Sequence, residues 1–250
     1  MKFLSKSLIF FFSLYPNLVI AHHKIDNPVI KFSETPEIRN IFFEWRGHLN
    51  LDRKKSNHES YHQVLELGKA WNERHETDLE VHIADLKNSS LAIPTIKFQN
   101  KLNLIKKHNF LFSTFFSYNL ATENNSSDQI EYKFLFQNKF KHFVINNGLG
   151  FYKNINGSKS KDTVLKYFPL IFFKKPIFSD VYLALAGSSD FGRISKFNTY
   201  TNQKHQYGFG LKKTFYNESQ KSFDLTLAYL KGLNSNSFDQ SLIWYFNKSF

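Results

Sequence analysis

The sequence predicts an all-β protein, a closed, antiparallel, up-and-down transmembrane β-barrel of about twelve strands. Three observations carry this reading. From residue 41 to residue 250 apolar and polar residues alternate with period two in segment after segment, as in strands with one oily and one polar face. Aromatic residues make up 18% of the chain, 29 of them Phe, an excess that a lipid-facing belt with aromatic girdles accommodates. No run of about 18 apolar residues follows residue 21, so no membrane helix competes. Closure then follows physically, because lipid cannot satisfy the N–H and C=O groups of an open sheet edge. An exported soluble sandwich would alternate in the same way. The mean hydropathy of −0.41 does not separate the two, since a barrel also averages to a polar value.

The first 21 residues read as a secretory signal peptide: basic Lys2 and Lys6, an apolar run over residues 8–14, and a small-residue exit at Val19, Ile20 and Ala21. Residues 22–40 carry two prolines and no period, and are read as a flexible periplasmic extension. The pair His22 and His23 belongs to that solvated segment rather than to a metal site. There is no cysteine, which excludes disulfides and thiolate metal sites. The net charge is +12, and loss of Lys2 and Lys6 leaves +10. Export excludes nucleic acid as the partner of that charge, leaving anionic headgroups and acidic solutes.

The barrel, residues 41–250, is expected to begin with Phe43, Trp45, Leu49 and Leu51 facing lipid and Glu44, Arg46, His48 and Asn50 facing inward. The second strand, 61–71, sets Leu65 and Leu67 against His62 and Glu66, and the third, 77–87, sets Leu79, Val81 and Ile83 against Asp78, Glu80 and His82. The fourth, 94–104, turns Lys97, Gln99 and Lys101 inward, the fifth, 109–120, Ser113 and Ser117, and the sixth, 128–140, Glu131, Lys133, Gln137 and Lys139. The seventh, 143–153, turns Asn146, Gly148 and Gly150 inward. The eighth, 163–173, is apolar on both faces, so its register stays open, and Pro169 suggests a break in its ladder. Alternation returns over 180–187, 205–215, 222–233 and 238–250. If the first strand runs outward, the outside loops include the stretches rich in Asn, Ser and Lys, with mostly shorter turns and both termini at the other end.

The last strand ends the chain on an aromatic, with Leu242, Trp244, Phe246, Lys248 and Phe250 on one face. This resembles the C-terminal signal of bacterial outer-membrane β-barrel proteins, although Lys248 stands where that pattern usually carries Tyr or an apolar residue. The resemblance implies an outer-membrane location, surrounding outer-membrane lipid, and the barrel assembly machinery as a biogenesis partner reading Leu242, Trp244, Phe246 and Phe250. It implies no substrate.

Glu44, Arg46, His48, His62, Glu66, Asp78, Glu80 and His82 face inward together. They are expected either to fill the lumen with ion pairs or to form a solute-contacting wall. No compact ligand motif marks a metal site among them, and no cofactor is expected. Lys97, Lys101, Lys133 and Lys139 are candidate anion contacts, and Gly148, Gly150, Ala184 and Ala186 suggest a narrow passage along one side. The outer-membrane phospholipase family needs Ser, His and Asn together. Residues 57–63 hold those types without that family's spacing or its glycine-bearing motif, so no enzyme is expected. Asn88 and Asn125 lie in Asn-x-Ser sequons of the kind an Asn/Ser-rich chain produces by chance. Twelve strands lie between a barrel filled by side chains and an open aqueous pore. The expectation is a narrow passive channel for small, anionic solutes, with a non-conducting structural or surface-interaction barrel as the alternative.

Overall fold

The computed structural model describes residues 41–52, 60–85, 91–123, 126–156, 162–217 and 220–250. The signal peptide, the 22–40 extension, residues 57–59 and both Asn88 and Asn125 lie outside them. The strands are β1 (Phe42–Leu51), β2 (Ser60–Ala70), β3 (His75–Asp85), β4 (Leu91–Lys107), β5 (Phe110–Ala121) and β6 (Gln129–Lys139). They continue with β7 (Phe143–Asn154), β8 (Thr163–Phe173), β9 (Val181–Arg193), β10 (Lys196–Phe197), β11 (Lys204–Asn217), β12 (Gln220–Gly232) and β13 (Gln240–Ser249). All but β10 form a closed antiparallel barrel of 12 strands. β10 is a two-residue arm folded back on β9.

Closure joins the last strand to the first, as the sequence requires. β13 pairs with β1 from Phe42 opposite Ser249 to Leu51 opposite Gln240, and the Phe250 N–H donates to the Ile41 carbonyl at 3.0 Å. The inner face of β13 buries Ile243, Tyr245 and Asn247, while Leu242 and Phe250 stay exposed. On the outer face Trp244 lies 6.1 Å from Trp45, and Phe246 lies 5.2 Å from Phe223. Aromatic pairs of this kind bind neighbouring strands edge to edge.

Three boundaries differ from expectation. β4 runs past Pro94 because the β3 ladder bulges between His82 and Ala84, which places the proline where no amide is needed. β9 continues to Arg193 although Ser188 and Ser189 look like turn residues, and it pairs with β11 through Asp190 opposite Lys204. The connection after it is therefore residues 194–203, with β10 and one 3-10 turn at Tyr200–Asn202. β8 takes the register that turns Lys166 and Leu170 inward, and its pairing with β9 skips Phe168 and Pro169.

At the end carrying the longer connections, Asp128 ties two of them together. Its carboxylate accepts the Ala121 N–H at 2.9 Å, the Tyr118 hydroxyl at 2.7 Å and the Asn156 amide at 2.8 Å. These donors, the Ala121 amide first, hold its pKa below the ordinary value. A depressed folded pKa gives stability that is full above the unfolded value, about 3.9, and lost as pH falls through the folded one. Amide-exchange protection at Ala121 is expected to hold from pH 7 to about 4, to fall in stronger acid, and to be weak throughout in Asp128→Asn. Protection unchanged at pH 2 would remove the carboxylate from this role.

Candidate functional site: a charged layer inside the barrel

Antiparallel pairing sets Glu44 opposite Glu66, Glu66 opposite Glu80, and Glu80 opposite Lys97. Three carboxylates thus share one row of the wall, and such an arrangement stands only with a shared cation. Arg46, one step along β1, supplies it. Its Nη1 pairs with Glu66 and lies 3.3 Å from Glu44 Oε2, and its Nη2 lies 2.6 Å from Glu80 Oε1. The forked guanidinium is the side chain that can serve several acids at once. Glu44 also accepts from the Tyr245 hydroxyl at 2.5 Å and the Asn247 amide at 2.6 Å.

The network continues round the wall. Lys97 Nζ lies 3.4 Å from Glu80 Oε2 and 3.0 Å from Glu131 Oε2, and Lys133 pairs with the other oxygen of Glu131 at 2.5 Å. Lys97 reaches from β4 to β6 across β5, where small Ser117 leaves room and itself donates to Glu131 at 3.1 Å. Arg46, Glu66, Glu80, Lys97 and Glu131 are each no more than 5% exposed.

All eight residues expected in the charge network lie in or beside this layer. His82 Nε2 lies 3.1 Å from Glu80, His82 Nδ1 lies 3.0 Å from His62 Nε2, and the His48 and His62 rings meet with centroids 5.2 Å apart. Asp78 accepts from the Gln99 amide at 3.2 Å, and its carboxylate lies with those of Glu66 and Glu76 in a group whose oxygens are within 4.8 Å of one another. Glu131, Tyr245 and Asn247 were not expected members. Their inward parity was visible in the sequence, but their partners come from other strands.

The four candidate lysines do not act alike. Lys97 and Lys133 are ion-paired within the network, Lys101 stands 4.9 Å from the Phe115 ring centroid, and Lys139 is exposed at the end of β6. The side expected to leave a passage is occupied. A Cβ on Gly150 would meet the Tyr152 ring at 2.7 Å, and one on Gly148 would meet Leu135 and Phe168 at 3.1 and 3.3 Å. Ala184 and Ala186 belong to an apolar cluster with Leu170, Ala228, Leu230 and Ile243, against which Phe172 packs. Small residues here make room for large neighbours rather than for solvent. Of the hydrolase constellation weighed at residues 57–63, Ser60 accepts from the Asn50 amide at 3.1 Å and His62 Nε2 lies 3.0 Å from His82 Nδ1.

No protein-family model and no curated protein sequence matches the chain. Solved structures do. The NanC porin in a rhombohedral crystal form aligns with TM-score 0.57 and 11% identity, over 83% of this chain and 98% of that one. The COG4313 outer membrane channel from Pseudomonas putida aligns with TM-score 0.58 and 10% identity, over 91% and 100%. The fold is that of bacterial outer-membrane β-barrels. The translocator domain of the autotransporter NalP from Neisseria meningitidis shares it too, at TM-score 0.54 and 9% identity, over 88% and 91%. A barrel of this fold therefore surrounds the Arg46 layer, and porins and channels are among the proteins sharing its architecture.

Proposed function

We propose that this protein sits in the bacterial outer membrane, delivered by its signal peptide and by the barrel assembly machinery, and acts as a narrow passive channel for small solutes. The Arg46 layer is its constriction. The observation that carries this reading is the layer itself. Buried ion pairs stabilise no better than apolar side chains of similar volume. A lumen that needed only filling would be completed by the same Leu, Ile and Ala that fill its other side. A polar constriction that hydrates as side chains swing apart accounts for the cost.

Selectivity is expected to be weak rather than strongly anionic. Lys97 and Lys133, counted from sequence as anion contacts, are offset by Glu80 and Glu131. Anion preference then rests on Lys101 and Lys139, which among the described residues form no ion pair. Purified barrel in a planar bilayer under a salt gradient is expected to give small conductance steps with a reversal potential close to zero. The second reading is a non-conducting barrel with its lumen closed by charge pairs, and the burial of Arg46, Glu66, Glu80, Lys97 and Glu131 is compatible with it. Inserted protein silent at every voltage would decide for it.

A further inference from the structure

We propose that Ser189, His205 and Gln203 form a serine acyl-hydrolase site on the outer wall of the barrel, acting on the acyl ester of a membrane amphiphile. Ser189 on β9 and His205 on β11 are direct ladder partners. They share their face with Leu185, Phe209 and Leu211, which are 44%, 49% and 37% exposed, so the pair belongs to the outward-facing side of the wall, beside the 194–203 connection. Ser189 Oγ lies 3.0 Å from His205 Nδ1, and His205 Nε2 lies 2.8 Å from Gln203 Oε1.

Proton positions follow from the amide. Gln203 Nε2 donates to the Asn198 carbonyl at 2.7 Å, which turns Oε1 toward the imidazole. An amide oxygen only accepts, so His205 Nε2 carries the hydrogen and Nδ1 keeps its lone pair. Ser189 therefore donates its hydroxyl to Nδ1. The Tyr207 hydroxyl, 2.8 Å from Ser189 Oγ, is left to donate to that oxygen. Nucleophile, base in the accepting tautomer and a group that fixes the tautomer are what nucleophilic catalysis requires.

The site is covered in this conformation. Ser189 is 1% exposed, Tyr200 stacks on His205 with ring centroids 5.3 Å apart, and Phe191 meets the same ring edge-on at 5.7 Å. Tyr200 is itself 58% exposed on its short 3-10 turn, and substrate reaches Ser189 when that ring is displaced. Ser189 Oγ then attacks the ester carbonyl carbon as its proton passes to His205 Nδ1. The carbon–oxygen bond to the alcohol breaks, and that proton goes to the leaving oxygen. Water, giving a proton to His205, attacks the acyl-serine, releases the fatty acid and returns the proton to Ser189. Water is the sole co-reactant. Ser189 and His205 are the catalytic residues, and Gln203 is a positioning residue.

The test exposes the folded full-length barrel in detergent micelles to an alkyl fluorophosphonate overnight and reads the modified peptide by mass spectrometry. One adduct, on Ser189, is expected. Labelling is expected to be faster in Tyr200→Ala and slower by roughly 10²- to 10⁴-fold in His205→Asn, the range of a lost general base. Gln203→Glu, which keeps the acceptor, is expected to retain labelling that Gln203→Leu loses. Fatty acid release from diacyl phospholipid vesicles is expected to stop in Ser189→Ala. Folded parent protein that carries no adduct on Ser189, or carries one only elsewhere, overturns the proposal without depending on any variant folding.

Discussion

Arg46→Leu is expected to unfold at a much lower urea concentration than the parent barrel in lipid vesicles, with a loss of about 3–5 kcal/mol. The reason is the row of acids. Glu44, Glu66 and Glu80 follow one another across β1, β2 and β3, and Arg46 is the cation that contacts all three. Removing one partner of a buried ion pair costs far more than removing the pair, because the charge left behind has lost both water and counterion. Here one substitution takes the shared cation from three carboxylates at once, although Glu80 keeps Lys97 and Glu44 keeps its hydrogen bonds from Tyr245 and Asn247. Arg46→Lys is expected to recover part of the loss, since an ammonium keeps the charge but cannot fork among three acceptors. Combining Arg46→Leu with Glu66→Gln and Glu80→Gln is expected to recover most of it. In the bilayer, the folded fraction of Arg46→Leu is expected to pass larger currents with a shift toward cations. Equal urea midpoints for Arg46→Leu and parent would mean that other groups hold the carboxylates and that the layer is not organised by Arg46.

Much of this layer was legible before any coordinates, because alternation fixes which side of the wall a residue faces. Once Phe43 and Trp45 are placed in lipid, Glu44 and Arg46 have only the lumen. The partners were not legible. Glu131 is one inward acid among several on the sequence, and its role depends on Lys97 crossing β5, which depends in turn on Ser117 being small. The same blindness led Lys97 and Lys133 to be counted as free positive charges. A lysine's availability is set by the acid across the ladder, and period-two patterning carries no information about that acid.

β8 fails for a different reason. Its residues are apolar on both faces, so neither register pays a hydrophobic penalty within the strand itself. What decides is the neighbour. The observed register brings Lys166 to 3.8 Å from Asp190 and places Leu170 in the inner apolar cluster. On sequence alone Asp190 falls in the connection between the strands 180–187 and 205–215, because Gly, Ser and Asp mark turns more often than strands. The Ser189 and His205 pair escaped notice by the same route. One member lay in that supposed loop, and the other was the first residue of a strand.

The glycines test the close packing of this wall most directly, and Gly208→Ala is expected to be destabilised by roughly 3 kcal/mol, the upper range for overpacking. Gly208 on β11 lies opposite Leu230 on β12 and Ala186 on β9. A Cβ there would run into the carbonyl oxygen of Tyr229 and come within 2.9 Å of Leu230 Cα. Both obstacles are backbone, so no rotamer change relieves the contact, and β11 must move away from β12. The sign is informative, because alanine in an ordinary strand gains over glycine by restricting the unfolded chain. Gly148→Ala supplies the contrast. Its new methyl group would meet Leu135 Cδ2 at 3.1 Å and Phe168 Cδ2 at 3.3 Å, side-chain atoms that can shift by a few tenths of an ångström. That variant is expected to stay within about 1 kcal/mol of the parent. Urea titrations followed by the fluorescence of Trp45, Trp71 and Trp244 would separate the two. Equal midpoints would mean that β11 and β12 can part at little cost, and that the approach of the two strands at Gly208 does not hold this side of the barrel in place.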